Sequence, residues 1–180
     1  MQGVIFDELE KFVLGQVGEA GLTRIRSLTG RGDHGYDIGA TYPDDELAVI
    51  MRGLVEATGR PAEELIEDFG VAVVPGLLEI YGILVNPRWS FIDFLMNTGD
   101  VIHRGVKLNT PSARPPELDA TRNGPESVTI RYHSKRRLCP LAKGIIRGAA
   151  THYQVEIAIS ETRCMLRGDP ECLIEVSGRE

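Results

Sequence analysis

The stretch Ile130-Arg131-Tyr132-His133-Ser134-Lys135-Arg136 sets a phenol, an aliphatic hydroxyl and a guanidinium at alternate positions. Alternate side chains on a strand share a face, so Val128, Ile130, Tyr132, Ser134 and Arg136 would line one side that turns from apolar to polar and cationic. A face that ends in hydroxyl donors and a fixed positive charge is equipped to hold an anion. A planar guanidinium suits a carboxylate in particular, because it can make a forked contact.

A second candidate is His103, near the end of the helical pattern "FIDFLMNTGDVIHRGV", with Phe94, Leu95, Val101, Ile102 and Val106 around it. A lone histidine in apolar surroundings is most often an ordinary packed or solvated residue. Its sharper reading is a neutral imidazole ligand to iron. Haem would unite the two observations, since its iron takes an axial nitrogen donor and its propionates need charge-assisted partners.

Cysteines make the third constellation. Cys139 follows the strand motif, and Cys164 and Cys172 flank the Gly168-Asp169-Pro170 turn in "CMLRGDPEC". Three cysteines, an odd number confined to the last quarter, suit reduced thiols or a metal site better than a disulfide framework.

The elements that must position these residues change character along the chain. Apolar spacing predicts a helix over 2–16, with Gly18 and Gly21 as stop signals, and a short helix over 22–30. A glycine-rich loop follows, which includes Arg31-Gly32-Asp33; no adhesion role is read from that triplet. A helix capped by Asp44 or Asp45 should run to Gly59, and another starts at Pro61 and is kinked or split at Pro75-Gly76. A further helical pattern runs from Trp89 or Ser90 to about Val106. Beyond the proline-rich "NTPSARPPEL", alternating runs predict strands over 117–122, 127–134, 154–163 and 171–177, with a helix over 140–152. The order predicts an α+β fold: a helical part over about 1–110, then an antiparallel sheet with an inserted helix over about 111–180, in one domain.

A chain of 180 residues that is 42% hydrophobic can bury a sizeable core. A formal net charge of −6 argues against a nucleic-acid surface, and no apolar run approaches the roughly 20 residues that span a bilayer. The expectation is a cytoplasmic protein. No Ser-His-Asp set, phosphate-binding glycine loop or catalytic carboxylate pair stands out, so no enzyme is expected.

His103, then "RPPEL", then "YHSKR" resembles the haem nitric oxide/oxygen-binding (H-NOX) domain, the bacterial stand-alone relative of the sensor domain of soluble guanylate cyclase. The likeness extends from "MQGVIFDELEKFV" through "GRPAEELIEDFG" and "FLMNTGDVIH" to the last strands. It implies a haem b buried between the helical and sheet parts, with His103 as proximal ligand and Tyr132, Ser134 and Arg136 on the propionates. Pro116 would press on the porphyrin, and Ile5, Val73, Leu141 and Ile145 would line the pocket. Family members that hold oxygen carry a tyrosine where Leu141 stands, so the resemblance implies a sensor of NO, and of CO, that excludes O2. Some relatives bind zinc through three cysteines and a histidine; the corresponding set here is Cys139, Cys164 and Cys172 with Glu161 in the histidine's place. The output would pass in trans to a histidine kinase or a cyclic-di-GMP enzyme. A rival reading makes the cysteine cluster the operative redox or zinc-dependent sensor, with haem secondary.

Overall fold

Val4, Phe6, Leu9, Phe12 and Val13 recur at helical spacing and bury one side of α1 (Gly3–Leu28). The computed structural model describes residues 1–32 and 34–179, so Asp33 of the Arg-Gly-Asp triplet lies outside the described residues. The two helices expected before Gly30 form one span, broken at Gly18, whose φ of 69° and ψ of −179° are not helical. The glycine thus changes the chain's direction without ending the helix.

α2 (Asp45–Thr58) ends at Gly59 in the left-handed conformation, as expected. Its predicted cap differs: the Asp44 side chain makes no capping hydrogen bond and is engaged elsewhere, as described below. α3 (Ala62–Ala72) and α4 (Val74–Tyr81) are separate helices, the second opening with Pro75 in its first turn. The helix expected over about 89–106 is resolved into three pieces. α5 (Phe91–Asn97) is capped by Ser90, whose hydroxyl accepts from Asp93 N while Asp93 reaches back to the Ser90 backbone. A π-helical turn, Thr98–His103, then leads into α6 (Arg104–Asn109). Apolar periodicity alone does not reveal such a turn, because its flanks keep their helical faces.

β1 (Glu117–Gly124) and β2 (Ser127–His133) form a hairpin, α7 (Cys139–Tyr153) crosses over, and β3 (Glu156–Arg163) and β4 (Cys172–Arg179) close the sheet. Strand order is β1-β2-β4-β3, every pair antiparallel, which makes the fold α+β. Val128, Ile130 and Tyr132 point into the core while Arg131 and His133 face out, matching the alternation of the motif. No helix is long and apolar enough to cross a membrane among the described residues.

Two apolar cores result. One, around Phe6, Leu9, Leu54, Leu65 and Phe69, belongs to α1–α3; the other, around Phe91, Ile130, Ile146, Ile174 and Val176, joins the sheet to α5 and α7. The seam between α3 and α7 is backbone on backbone. A Cβ on Gly144 would fall 2.0 Å from the Glu67 carbonyl oxygen, and one on Gly70 2.5 Å from that of Leu141. Gly144→Ala should therefore destabilise the protein by about 2–3 kcal/mol, the cost of overpacking a seam that cannot open locally. Gly15→Ala, in a helix with nothing near its Cβ position, should be neutral or stabilising by up to about 1 kcal/mol. Urea unfolding of both variants checks the contrast, and equal stabilities would mean that the seam is loose.

Candidate functional site

A cavity lies between the two cores, with about 1610 Å³ free of protein atoms, its open mouth included. Its walls are mostly aliphatic: Ile5 from α1, Val74 and Leu77 from α4, Leu141 and Ile145 from α7, and Ile130 and Ile174 from the sheet. Of the expected lining residues, Ile5, Leu141, Ile145 and Pro116 border the cavity. Val73 does not; it is fully buried in the α1–α3 core, and its neighbour Val74 faces the space instead. The break at Val73, between the end of α3 at Ala72 and the start of α4 at Val74, sets which of the two valines turns inward.

His103 borders the same cavity. Its Nδ1 lies 3.2 Å from the carbonyl oxygen of Pro116. A carbonyl oxygen can only accept, so the proton resides on Nδ1, and Nε2 carries the free lone pair. Burial lowers the His103 pKa to about 4; the Pro116 hydrogen bond opposes that shift and nearby Lys107 adds to it. The ring is thus a neutral nitrogen donor held in one tautomer, which a metal ligand requires. Pro116, expected as a press on the cofactor, borders the cavity and accepts this orienting hydrogen bond.

Tyr132, Ser134 and Arg136 all reach the cavity. Tyr132 is 3% exposed and burial pushes its phenol up to about 12, against the hydrogen bond with Ser134, so it stays a donor at neutral pH. The Ser134 hydroxyl accepts from Arg136 N at 3.3 Å. Arg136 is already part of a polar cluster: Nε is 2.8 Å from Asp44 Oδ2, and Nη1 donates to the Arg114 carbonyl. Burial acts to raise the Asp44 carboxyl, but hydrogen bonds from Met1 N and Arg136 outweigh it, and the pKa is lowered. Arg114 also borders the cavity, its Nη1 bonded to the Pro111 and Ala113 carbonyls at 2.7 and 2.9 Å. Asp44 and Arg114 were not legible as site residues, since neither shares an alternating or helical pattern with the motif.

A separate cluster lies at one end of the sheet's inner face, where Cys172 pairs with Tyr132 across β2 and β4. Cys139 opens α7, Glu161 lies near the end of β3, Cys164 follows that strand, and Cys172 opens β4. Their ligating atoms all lie within 4.8 Å of one another. Cys172 Sγ donates to Cys139 Sγ at 2.9 Å, and Met165 N donates to Cys172 Sγ at 3.2 Å. Burial pushes the Cys139 and Cys172 thiols up, and the neighbouring thiols add to the rise at Cys139. Glu161 Oε1 is buried without a hydrogen-bond partner. Three thiols and an unpartnered carboxylate oxygen at this spacing fit a tetrahedral divalent ion such as zinc, which would also deprotonate the thiols. His34, His133 and His152 are exposed and outside both sites.

An apolar cavity with one lone-pair imidazole on its wall, and a phenol, a hydroxyl and a guanidinium converging on it, suits a flat metal-bearing cofactor with acidic arms. The Haem-NO-binding family model matches residues 2–161, and the chain belongs to that family, the H-NOX domains, which are haem-based gas sensors. An H-NOX protein from Shewanella oneidensis, solved in its Fe(II)NO state, is 28% identical with a TM-score of 0.93, over 100% of both chains. The NMR structure of an H-NOX domain from the same organism, in the Fe(II)CO state, is 28% identical with a TM-score of 0.90, covering 100% of this chain and 99% of that one. A variant H-NOX from T. tengcongensis, 20% identical with a TM-score of 0.89 over 100% and 98% of the two chains, shares the fold. Comparison with curated proteins gives no match.

Because His103 takes up a proton near pH 6.5 when unfolded but only near 4 when folded, the unfolded state binds more protons between these values. In the haem-free protein this contribution to stability is intact above about 6.5 and is lost as pH falls toward 4, by at most about 3 kcal/mol. His103→Gln should lack this component. Urea unfolding of wild type and variant across that window tests it; parallel pH profiles would show that the folded imidazole is not desolvated.

Proposed function

We propose that residues 1–180 act as one unit, a sensor in which His103 ligates the iron of a haem b through Nε2, and Tyr132, Ser134 and Arg136 hold the propionates. Ferrous haem supplies an open axial position for a diatomic gas. What supports the reading is the Nδ1 contact of His103 to Pro116, which leaves the Nε2 lone pair free beside an apolar cavity. The relatives' Fe(II)NO and Fe(II)CO states support NO and CO as ligands here.

In this reading the wall residues Ile5, Val74, Leu141 and Ile145 set the selectivity. Leu141 offers no hydrogen-bond donor, which disfavours O2, a ligand that gains from one, and leaves NO unaffected. His103 carries the signal. It stands at the end of the π-turn, whose Gly99 packs against the Leu118 backbone and whose preceding helix is held to β1 by the Asp93–Arg122 ion pair. Release of His103 from its ligand would free the π-turn and α6 to move relative to β1. No catalytic role is assigned. The output would pass to a partner in trans, a histidine kinase or a cyclic-di-GMP enzyme, in the cytoplasm.

The close cysteine cluster favours a second element of the reading: Cys139, Cys164, Cys172 and Glu161 hold zinc beside the haem site. The rival in which that cluster alone is the sensor predicts signalling that survives loss of His103.

Anaerobic absorption spectra of the ferrous, haem-loaded protein test the proposal. A five-coordinate spectrum that changes with NO, and forms no stable complex in air, is expected. His103→Gly should lose that spectrum and regain it with added imidazole, and a spectrum indifferent to the substitution would remove His103 as ligand. Arg136→Ala should weaken haem retention by roughly tenfold to a hundredfold, the loss of a charged hydrogen bond worth about 1.5–3 kcal/mol. Leu141→Tyr, by adding a donor, should allow an O2 complex that wild type does not form; failure to do so would place the selectivity elsewhere.

A further inference from the structure

Glu161 occupies an unusual place on β3. Ile157 and Ile159 precede it on the half-buried face of the strand, and the register with β4 shifts between Glu161 and Arg163. The strand therefore turns an acid toward the core, where an unpaired carboxylate is costly. Its two oxygens are treated differently. Oε2 is 3.5 Å from Lys143 Nζ and 3.7 Å from Arg167 Nη1, while Oε1 is buried and has no hydrogen-bond partner. The Glu161 side chain is 10% exposed.

Each of the two cations stands on, or directly beside, an element that supplies a cysteine. Lys143 is four residues beyond Cys139 on α7, which places both on one helix face. Arg167 lies in the short turn between Cys164 and Cys172, and its Nη2 donates to the Glu161 carbonyl oxygen at 3.1 Å. The arrangement that gathers the thiols thus gathers the counter-charges around the carboxylate.

We propose that Lys143 and Arg167 are positioning residues for a carboxylate-ligated metal centre: they neutralise and orient Glu161 so that Oε1 completes a three-thiolate, one-carboxylate site for a divalent ion such as zinc. This rests on the metal reading of the cluster and adds to it the groups that make a carboxylate usable as the fourth ligand. On binding, the thiols give up their protons to solvent, and three thiolates with one carboxylate leave an excess of two negative charges over the ion. Lys143 and Arg167 cancel that excess, which a neutral imidazole in place of Glu161 would roughly halve. The Lys143 side chain is 22% exposed and that of Arg167 56%, so Lys143 carries more of the effect.

The test is zinc affinity of the full chain, measured by competition with a chromophoric chelator, alongside the absorption spectrum of the cobalt-substituted protein. Haem retention and far-UV circular dichroism report that each variant folds. Glu161→Gln should weaken zinc binding and alter the cobalt ligand-field bands. Lys143→Met should weaken zinc by about 10- to 100-fold, the range for groups that orient a ligand, and Arg167→Met by less. Glu161→His should restore affinity and, in that background, clearly reduce the effect of Lys143→Met. Zinc affinity unchanged in Glu161→Gln, or a loss with Lys143→Met that persists undiminished beside Glu161→His, overturns the proposal while leaving a cysteine-held metal intact. Failure of the wild type to bind zinc or cobalt overturns the metal reading itself.

Discussion

The hydrogen bond from His103 Nδ1 to the Pro116 carbonyl is the contact on which the site depends. It fixes the tautomer, so the ring has one available lone pair, and it ties the end of the π-turn to the segment leading into β1. An imidazole with a free choice of tautomer could equally well present an N–H to the cavity. The π-turn and the proline-rich lead-in are both irregular, and together they supply a fixed donor and a fixed acceptor. Gly99 allows the π-turn to reach the Leu118 backbone, where a Cβ would stand 2.5 Å from a carbonyl oxygen.

The other walls of the cavity are held by a different constraint. α7 supplies Leu141 and Ile145, α4 supplies Val74, and α3 lies against α7 backbone to backbone at Gly70 and Gly144, while Gly148 meets the Val71 backbone and the Val74 side chain. Close-packed backbones cannot adjust continuously, so the spacing of Leu141 and Ile145 from the rest of the cavity is set by the glycines rather than by side-chain repacking. The aliphatic lining and the seam that positions it are thus separate features of one helix.

Much of this was legible in the sequence because it is periodic. The alternation Val128, Ile130, Tyr132 survives intact in β2, and the glycine and proline punctuation placed the helix breaks at Gly18, Gly59 and Pro75. What was not legible depends on contacts between distant segments. Asp44 has the look of a helix cap, yet its carboxylate is drawn to Arg136, far along the chain, because a half-buried guanidinium offers more than a backbone N–H can. Val73 and Val74 are indistinguishable by composition; only the break between α3 and α4 decides that Val74 meets the cavity. The π-turn leaves no compositional mark, and Lys143 has the spacing of any solvent-facing lysine on an amphipathic helix until β3 brings Glu161 to it.

The two centres share two elements, which limits how independent they can be. Tyr132 is the register partner of Cys172 across β2 and β4, and Cys139 and Leu141 lie in the first turn of α7. Cys139 to Ile145 spans six residues, about 9 Å along a helix. A metal held by Cys139 and Cys172 would pin the start of α7 and the start of β4 to each other. That pin would lie beside Tyr132 and upstream of the aliphatic wall, while the glycine seam restrains the middle of the same helix. Helix α7 would then be fixed at two points along one side of the cavity. The side bearing His103 is tied by the hydrogen bond to Pro116, an exposed ion pair to β1 and the close approach of Gly99 to the Leu118 backbone. Movement should therefore favour the His103 side, because one glycine contact with an exposed ion pair resists displacement less than a seam built on Gly70 and Gly144.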